Sequence, residues 1–335
     1  MKHGDEYIYN AKEIAEHLYN FFINTSRNII GTIPQVNSTF HQYLPNPIVQ
    51  SMFIDPVDPY DIKTIINKLK PKTSSGFDDI SCKLMKLSVN YITDPLAYII
   101  NLSLSSGIVP RQMKVAKVVP IFKSGDKYIF SNYRPVSLLP AFSKVLERAM
   151  YNKVITFLDI NHVLYRHQYG FRSQHSTIHP IIHFLNDCAK ANNKSTSEIT
   201  LALFCDLSKA FDIIDHDILL YKLSLYGIRG IALDWFRDYL TDRKQYIQIK
   251  NDESSTCNVM YGVPQGSILG PLLFLIFIND ICFSDDFNIL SFAVDTTMYI
   301  SSNSIDILSN EANTQMNALF TWFSANKLFL NAKQN

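Results

Sequence analysis

The run Leu201-Ala-Leu-Phe-Cys205 ends abruptly in Asp206, and a polar, helix-compatible segment follows it through Asp212. Consecutive apolar residues of strand length bounded in this way place a carboxylate at the carboxyl end of a buried strand. Two further stretches belong with it. Gly262-Val-Pro-Gln265-Gly266-Ser-Ile-Leu-Gly270-Pro271 is a glycine-rich turn entering an apolar helix through Phe277 and Ile278. Asn288 to Phe292 and the residues up to Ile300 read as strand, two-residue turn, strand, with Asp295 at the turn. Two acidic turns and a glycine loop point to phosphate and a divalent metal.

With 335 residues, 47% of them apolar, there is ample material for a core, which excludes bulk disorder. The net charge of +1 conceals a division along the chain. Residues 101–172 hold eleven Lys and Arg against three acids, a net +8, whereas residues 201–300 hold seven against thirteen, a net −6. A basic half suits phosphate backbones and triphosphates, and an acidic half suits metal ions. Five scattered cysteines without a CxxC pair read as reduced core residues of an intracellular protein. No cationic segment followed by an apolar one marks a secretory signal, and the stretch Ile268 to Phe283 is too interrupted to cross a bilayer, so no membrane is expected.

Along the chain, Ala11 to Ile23 is an amphipathic helix, followed by a Pro-, Asn- and Ser-rich linker to about residue 60. Helices are expected over Asp61 to Leu69, Cys82 to Leu87, Phe142 to Leu158, Ile213 to Leu225, Ile231 to Leu240 and Met316 to Leu328. Lys114 to Phe122 and Ser131 to Pro140 are extended pieces around the turn at Gly125. Gln245 to Lys250 and Cys257 to Tyr261 form a β pair entering the Gln265 loop. Asp212, Asp215 and Asp217 suit a helix start rather than metal ligation. His175, His179 and His183 recur at metal-ligand spacing, but Pro180 among them speaks against zinc.

These motifs resemble the reverse transcriptases of non-long-terminal-repeat retrotransposons, most closely the jockey-like group. The matches are Phe-x-Asp206-x-x-x-Ala-Phe211-Asp, Gly-Val-Pro-Gln265-Gly-Ser-x-Leu-Gly-Pro and Phe-Ala-Val294-Asp295-Thr-Thr. The resemblance implies an α+β right-hand polymerase fold: an N-terminal helix and linker over 1–60, helical and β-hairpin fingers over 61–200, and an antiparallel palm sheet packed on helices over 201–335. The polymerase domain itself is expected over about 104–335, without a preceding endonuclease and with the thumb missing. It implies RNA-directed DNA synthesis, with template RNA, a DNA primer and deoxynucleoside triphosphates as partners and two Mg²⁺ ions, or Mn²⁺ in their place, as cofactors.

By the same resemblance, Asp206 and Asp295 hold metal and Lys123 and Arg134 grip the triphosphate. Phe204 packs behind Asp206. Phe211 lies under the sugar, where its ring collides with a ribose 2′-hydroxyl. Gln265 and Gly266 approach the nucleotide closely because glycine has no Cβ. Arg172, in Gln168-Tyr-Gly-Phe-Arg172, touches the template, and Ser176 and Thr177 can cap the helix after it. Lys333 is implicated in protonating the leaving pyrophosphate. One departure stands out. The family's paired aspartates appear here as Val294-Asp295, and valine offers no lone pair. Losing a carboxylate beside two cations costs several kcal/mol, on the order of a thousandfold in rate. Phe283-Ser-Asp285-Asp286 imitates the missing pair but follows an apolar helix, and reads as a surface turn.

Overall fold

The computed structural model describes residues 1–3, 6–195, 197–283 and 288–331, in an α+β arrangement of two main sheets and ten helices among the described residues. A short pair, β1 (Lys2–His3) and β2 (Glu6–Tyr7), precedes α1 (Ala11–Thr32). Asn10 starts that helix by accepting from the amides of Lys12 and Glu13. The helix runs nine residues past the expected end at Ile23, since nothing in Asn24 to Thr32 breaks it. Four helices follow: α2 (Pro59–Lys68), α3 (Cys82–Leu87), α4 (Val89–Ser106) and, beyond a β hairpin, α5 (Ala141–Ile160). Asp58 and Asp61 cap α2 reciprocally, with Pro59 preset at its first turn.

The hairpin is β3 (Val115–Phe122) with β4 (Tyr133–Leu138), antiparallel. After α6 (Ile178–Asn192) come β5 (Ile199–Cys205), α7 (His216–Leu225) and α8 (Ile231–Leu240). Next are β6 (Lys244–Ile249), β7 (Asp252–Glu253) and β8 (Cys257–Asn258). The expected β pair is therefore present. In addition, β6 lies parallel to β3, Val115 opposite Lys244 and Val118 opposite Ile247, giving the order β4-β3-β6-β7 with β8 also on β6. One face of this sheet seats α1: Leu18 and Phe22 meet Val118, Phe130 and Ile247 in a small core of their own.

The second sheet comprises β5, β9 (Asn288–Phe292) and β10 (Asp295–Ser302), in the order β5-β10-β9 and antiparallel throughout. Strand alternation gives it two unlike faces. Cys205, Thr296 and Met298 are buried toward the main core. That core runs from Met52 to Leu328 and is centred on α9 (Leu269–Ile278), where every residue but Pro271 is buried. A helix apolar on all sides belongs in the middle. The opposite face is covered at one end by α6, where Tyr299 donates to Asp187 and meets the Phe184 ring edge-on. Its other end is open. Lastly, α10 (Ile305–Ala325) starts eleven residues before the expected Met316, because Ser304 caps it by accepting from Ile307 N. Among the described cysteine side chains, Cys82 and Cys205 are buried, and Cys188 and Cys257 only half-buried.

Candidate active site

At the open end of the three-stranded sheet, β10 and β5 pair as far as Thr296 opposite Cys205, so Asp295 and Asp206 come next at the same level. Directly opposed antiparallel residues share a face, and the two carboxylates therefore stand together. Burial, and then the nearby Asp206 charge, hold the Asp295 carboxyl above its usual range. Asp206 is fixed from the far side, its carbonyl accepting from Asn331 N at 2.9 Å and its carboxylate from Asn331 Nδ2 at 3.2 Å. The expectation that Phe204 packs behind Asp206 is wrong. Alternation puts Phe204 on the same face as Asp206, where it is 76% exposed.

The hairpin turn itself is Ala293-Val294, with Asp295 the first residue of β10 rather than a turn residue. Ala293 has φ of 57°, a left-handed position usually given to glycine. It is held there from outside: buried Gln168 accepts through Oε1 from Ala293 N at 3.0 Å and from Gly170 N at 2.8 Å. Gly170 is required by the fit, since a Cβ there would come within 2.0 Å of Ala293 N. Val294 is half-buried against the main core and brings no oxygen to the pair.

The glycine loop lies beside this pair, bonded to the chain that follows Asp206. Val263 N donates to Phe211 O and Gly262 N to Ile214 O, each at 2.8 Å. Gly262 has φ of 80°, and a Cβ on it would strike Phe211 O at 2.5 Å. Gln265 Nε2 donates to Asp212 Oδ1 at 2.6 Å, and Gln265 O accepts from Ser137 N at 2.8 Å. Gly266, at φ of 115°, leaves no room for a Cβ, which would lie 2.6 Å from Ser137 O. Phe211 stacks on Phe274 at 5.0 Å and meets Phe171 edge-on at 5.9 Å, with part of its ring exposed. At the start of α9 the Ile268 amide donates to Glu147 Oε2 at 2.6 Å, and Tyr239 donates its hydroxyl to Glu147 Oε1 at 2.9 Å.

Lys123 and Arg134 are both exposed near the tip of the β3–β4 hairpin. Ile121 pairs with Arg134, and Lys123 N donates to Asn132 O, so the two cations are diagonal neighbours on one face of the hairpin. Arg172 is half-buried, its Nη1 donating to Tyr165 O at 3.1 Å and Gln168 O at 3.4 Å. Lys333, like Asp285 and Asp286, lies outside the described residues. Thr177 makes no side-chain cap to α6; instead the His179 ring accepts from Ser176 N. His183 is taken up by Tyr169 and Asp187, and among the described residues no three His, Cys, Asp or Glu side chains converge as a metal-holding group.

Asp215 is the expected helix-start residue, accepting from the amides of Asp217 and Ile218. Asp212 is not: it precedes the helix and holds Gln265. Glu147, Gln168 and this role of Asp212 were missed. Glu147 left a signal, an acid at helical spacing from Ser143, Met150 and Val154 on the apolar side of α5.

Residues 121–334 match the family model described as reverse transcriptase (RNA-dependent DNA polymerase). The chain belongs to that family. Among its relatives, the RNA-directed DNA polymerase from mobile element jockey of Drosophila melanogaster is 29% identical over 305 residues, 88% of this chain and 33% of the relative. Its counterpart from Drosophila funebris is 33% identical over 239 residues, 71% of this chain and 26% of the relative. The probable RNA-directed DNA polymerase from transposon BS of D. melanogaster is 29% identical over 339 residues, 95% of this chain and 36% of the relative. This reverse transcriptase chain thus spans about a third of the length of the curated relatives it matches. Among the described residues, no helix is long and apolar enough to cross a membrane.

Proposed function

We propose that the chain is the polymerase portion of a non-long-terminal-repeat retrotransposon protein, built to copy RNA into DNA at the Asp206–Asp295 pair. The observation that carries the reading is the placement of those two carboxylates side by side at an open sheet end, next to the loop that bears Gln265 and Gly266. In this reading the three-stranded sheet is the palm, within 201–335, and the β3–β4 hairpin with its neighbouring helices is the fingers, within 61–200. Residues 1–60 form the N-terminal extension.

Two mutually repelling carboxylates suit a hard divalent cation such as Mg²⁺, which would be held by Asp206 and Asp295. Such an ion, when bound, activates a primer hydroxyl and neutralises phosphate charge. The chain's own groups do the rest. Lys123 and Arg134 supply two neighbouring cations for the triphosphate, Arg as a planar fork and Lys as a point charge. The exposed part of Phe211 closes the space where a 2′-hydroxyl would sit. Gln265 and the Cβ-free Gly266 bring backbone and amide against the base and sugar. Arg172 offers its remaining donors to the template strand, and Lys333 delivers a proton to pyrophosphate.

The half-buried Val294 in the turn favours a second reading, a primer-template or RNA-binding remnant without polymerase activity. Primer extension on an RNA template with Mg²⁺ separates the two. The parent chain is expected to extend weakly, and Val294→Asp to raise the rate by on the order of a thousandfold. Equal rates would remove position 294 from the ligand set. Salt-sensitive RNA binding with no metal-dependent extension in either chain would leave the remnant reading standing.

A further inference from the structure

We propose that Asp212 is a positioning residue for nucleotide binding: it fixes the Gln265 amide with nitrogen turned inward and oxygen presented to the incoming nucleotide. This rests on the reading above that Gln265 touches the nucleotide. Gln265 Nε2 donates to Asp212 Oδ1 at 2.6 Å, which turns the amide nitrogen toward Asp212 and leaves Oε1 facing away from it. The backbone leaves little freedom for anything else. Gln265 O is held by Ser137 N on one side, while Val263 and Gly262 are bonded to Phe211 and Ile214 on the other. Among the described residues, Gln265 Oε1 has no partner. It is the acceptor that side chain has left for a ligand.

The placement of a carboxylate here runs against simple electrostatics. Lys209, Arg27, Arg243 and Lys244 line the same cavity as Asp212 and Gln265, a setting suited to phosphate, and an anion among them weakens that attraction. Burial pushes the Asp212 carboxyl up, while Lys209 and the Gln265 bond pull it back. His216 is turned to the Gly262 carbonyl at 2.7 Å. An acid that burial opposes and that repels phosphate finds its use in orienting the amide.

Equilibrium binding of the next matched deoxynucleoside triphosphate to the protein on a chain-terminated primer and RNA template, with Mg²⁺, tests the assignment without requiring catalysis. Asp212→Asn keeps the shape but lets the amide adopt either orientation. It is expected to weaken nucleotide binding about twofold, because only about half of the amides then present oxygen. Primer-template affinity and the thermal midpoint should stay at parental values, and Asp212→Asn with Gln265→Ala should bind no more weakly than Gln265→Ala alone. If Gln265→Ala weakens the nucleotide and Asp212→Asn does not, or if the two losses add, the positioning role is overturned while the nucleotide role of Gln265 stands. Should Gln265→Ala bind as the parent does, or the parent bind no nucleotide, the underlying reading fails and this one with it.

Discussion

Replacing Glu147 separates what its carboxylate contributes by charge from what it contributes by geometry. The side chain is 1% exposed, accepts from Ile268 N and the Tyr239 hydroxyl, and lies in the field of Arg243. Glu147→Ala leaves one buried amide and one buried hydroxyl without a partner, at about 1–3 kcal/mol each, and adds a cavity the size of a carboxymethyl group. The expected net loss is about 3–5 kcal/mol. Glu147→Gln keeps an acceptor for Ile268 N, so a loss below about 1.5 kcal/mol is expected. Guanidinium unfolding at neutral pH, read as a midpoint shift at constant slope, measures both.

The pH dependence follows from the direction of the shift. Burial raises the Glu147 carboxyl, so the folded chain keeps its proton to higher pH than the unfolded chain does. Its contribution to stability is full below the ordinary glutamate value of about 4.3 and is lost as pH rises through the elevated folded value. Glu147→Gln should therefore gain on the parent as pH rises above about 4. An alanine variant within about 1 kcal/mol of the parent would refute the idea that Glu147 anchors the glycine loop to α5.

Two other substitutions probe the supports of the site. Lys222 is fully buried, donating to Phe277 O, Asp280 Oδ1 and Asn326 Oδ1 at 2.5–2.6 Å, so Lys222→Met strands the Asp280 charge and should cost about 3–5 kcal/mol in urea unfolding. Gly170→Ala forces a Cβ onto Ala293 N and should cost about 1–3 kcal/mol, with faster amide exchange at Ala293 and Asp295 than elsewhere in the sheet. Unchanged exchange at those two amides would mean that the turn does not lean on Gly170.

The elements that a single stretch can specify were legible. Cys82–Leu87 and Ile231–Leu240 were read to the residue, and β3, β4, β5 and the β9–β10 hairpin to within a few, because period and turn chemistry are local. Helix α4 went unread, with Pro95 inside it and apolar residues around much of its circumference obscuring the period. The parallel pairing of β3 with β6 joins strands more than a hundred residues apart, and nothing near Lys244 announces it. At the site, Asp206 and Asp295 stood out because a carboxylate ends an apolar run. Asp212 did not, since an aspartate near a helix start has an ordinary explanation and its bond to Gln265 exists only once both loops are folded.

The long parallel crossover sets the order in which such a chain can mature. Strand β3 emerges from synthesis with only β4 beside it, and its other edge waits for Lys244–Ile249, more than a hundred residues later. Until then α1 has half a seat, because Ile247 supplies part of the apolar surface under Leu18 and Phe22. Closure over so large a separation is slow, and the unpaired edge is a site for wrong partners in the interval. A nascent chain interrupted before β6 would therefore present the sticky half of a sheet rather than a smaller folded domain.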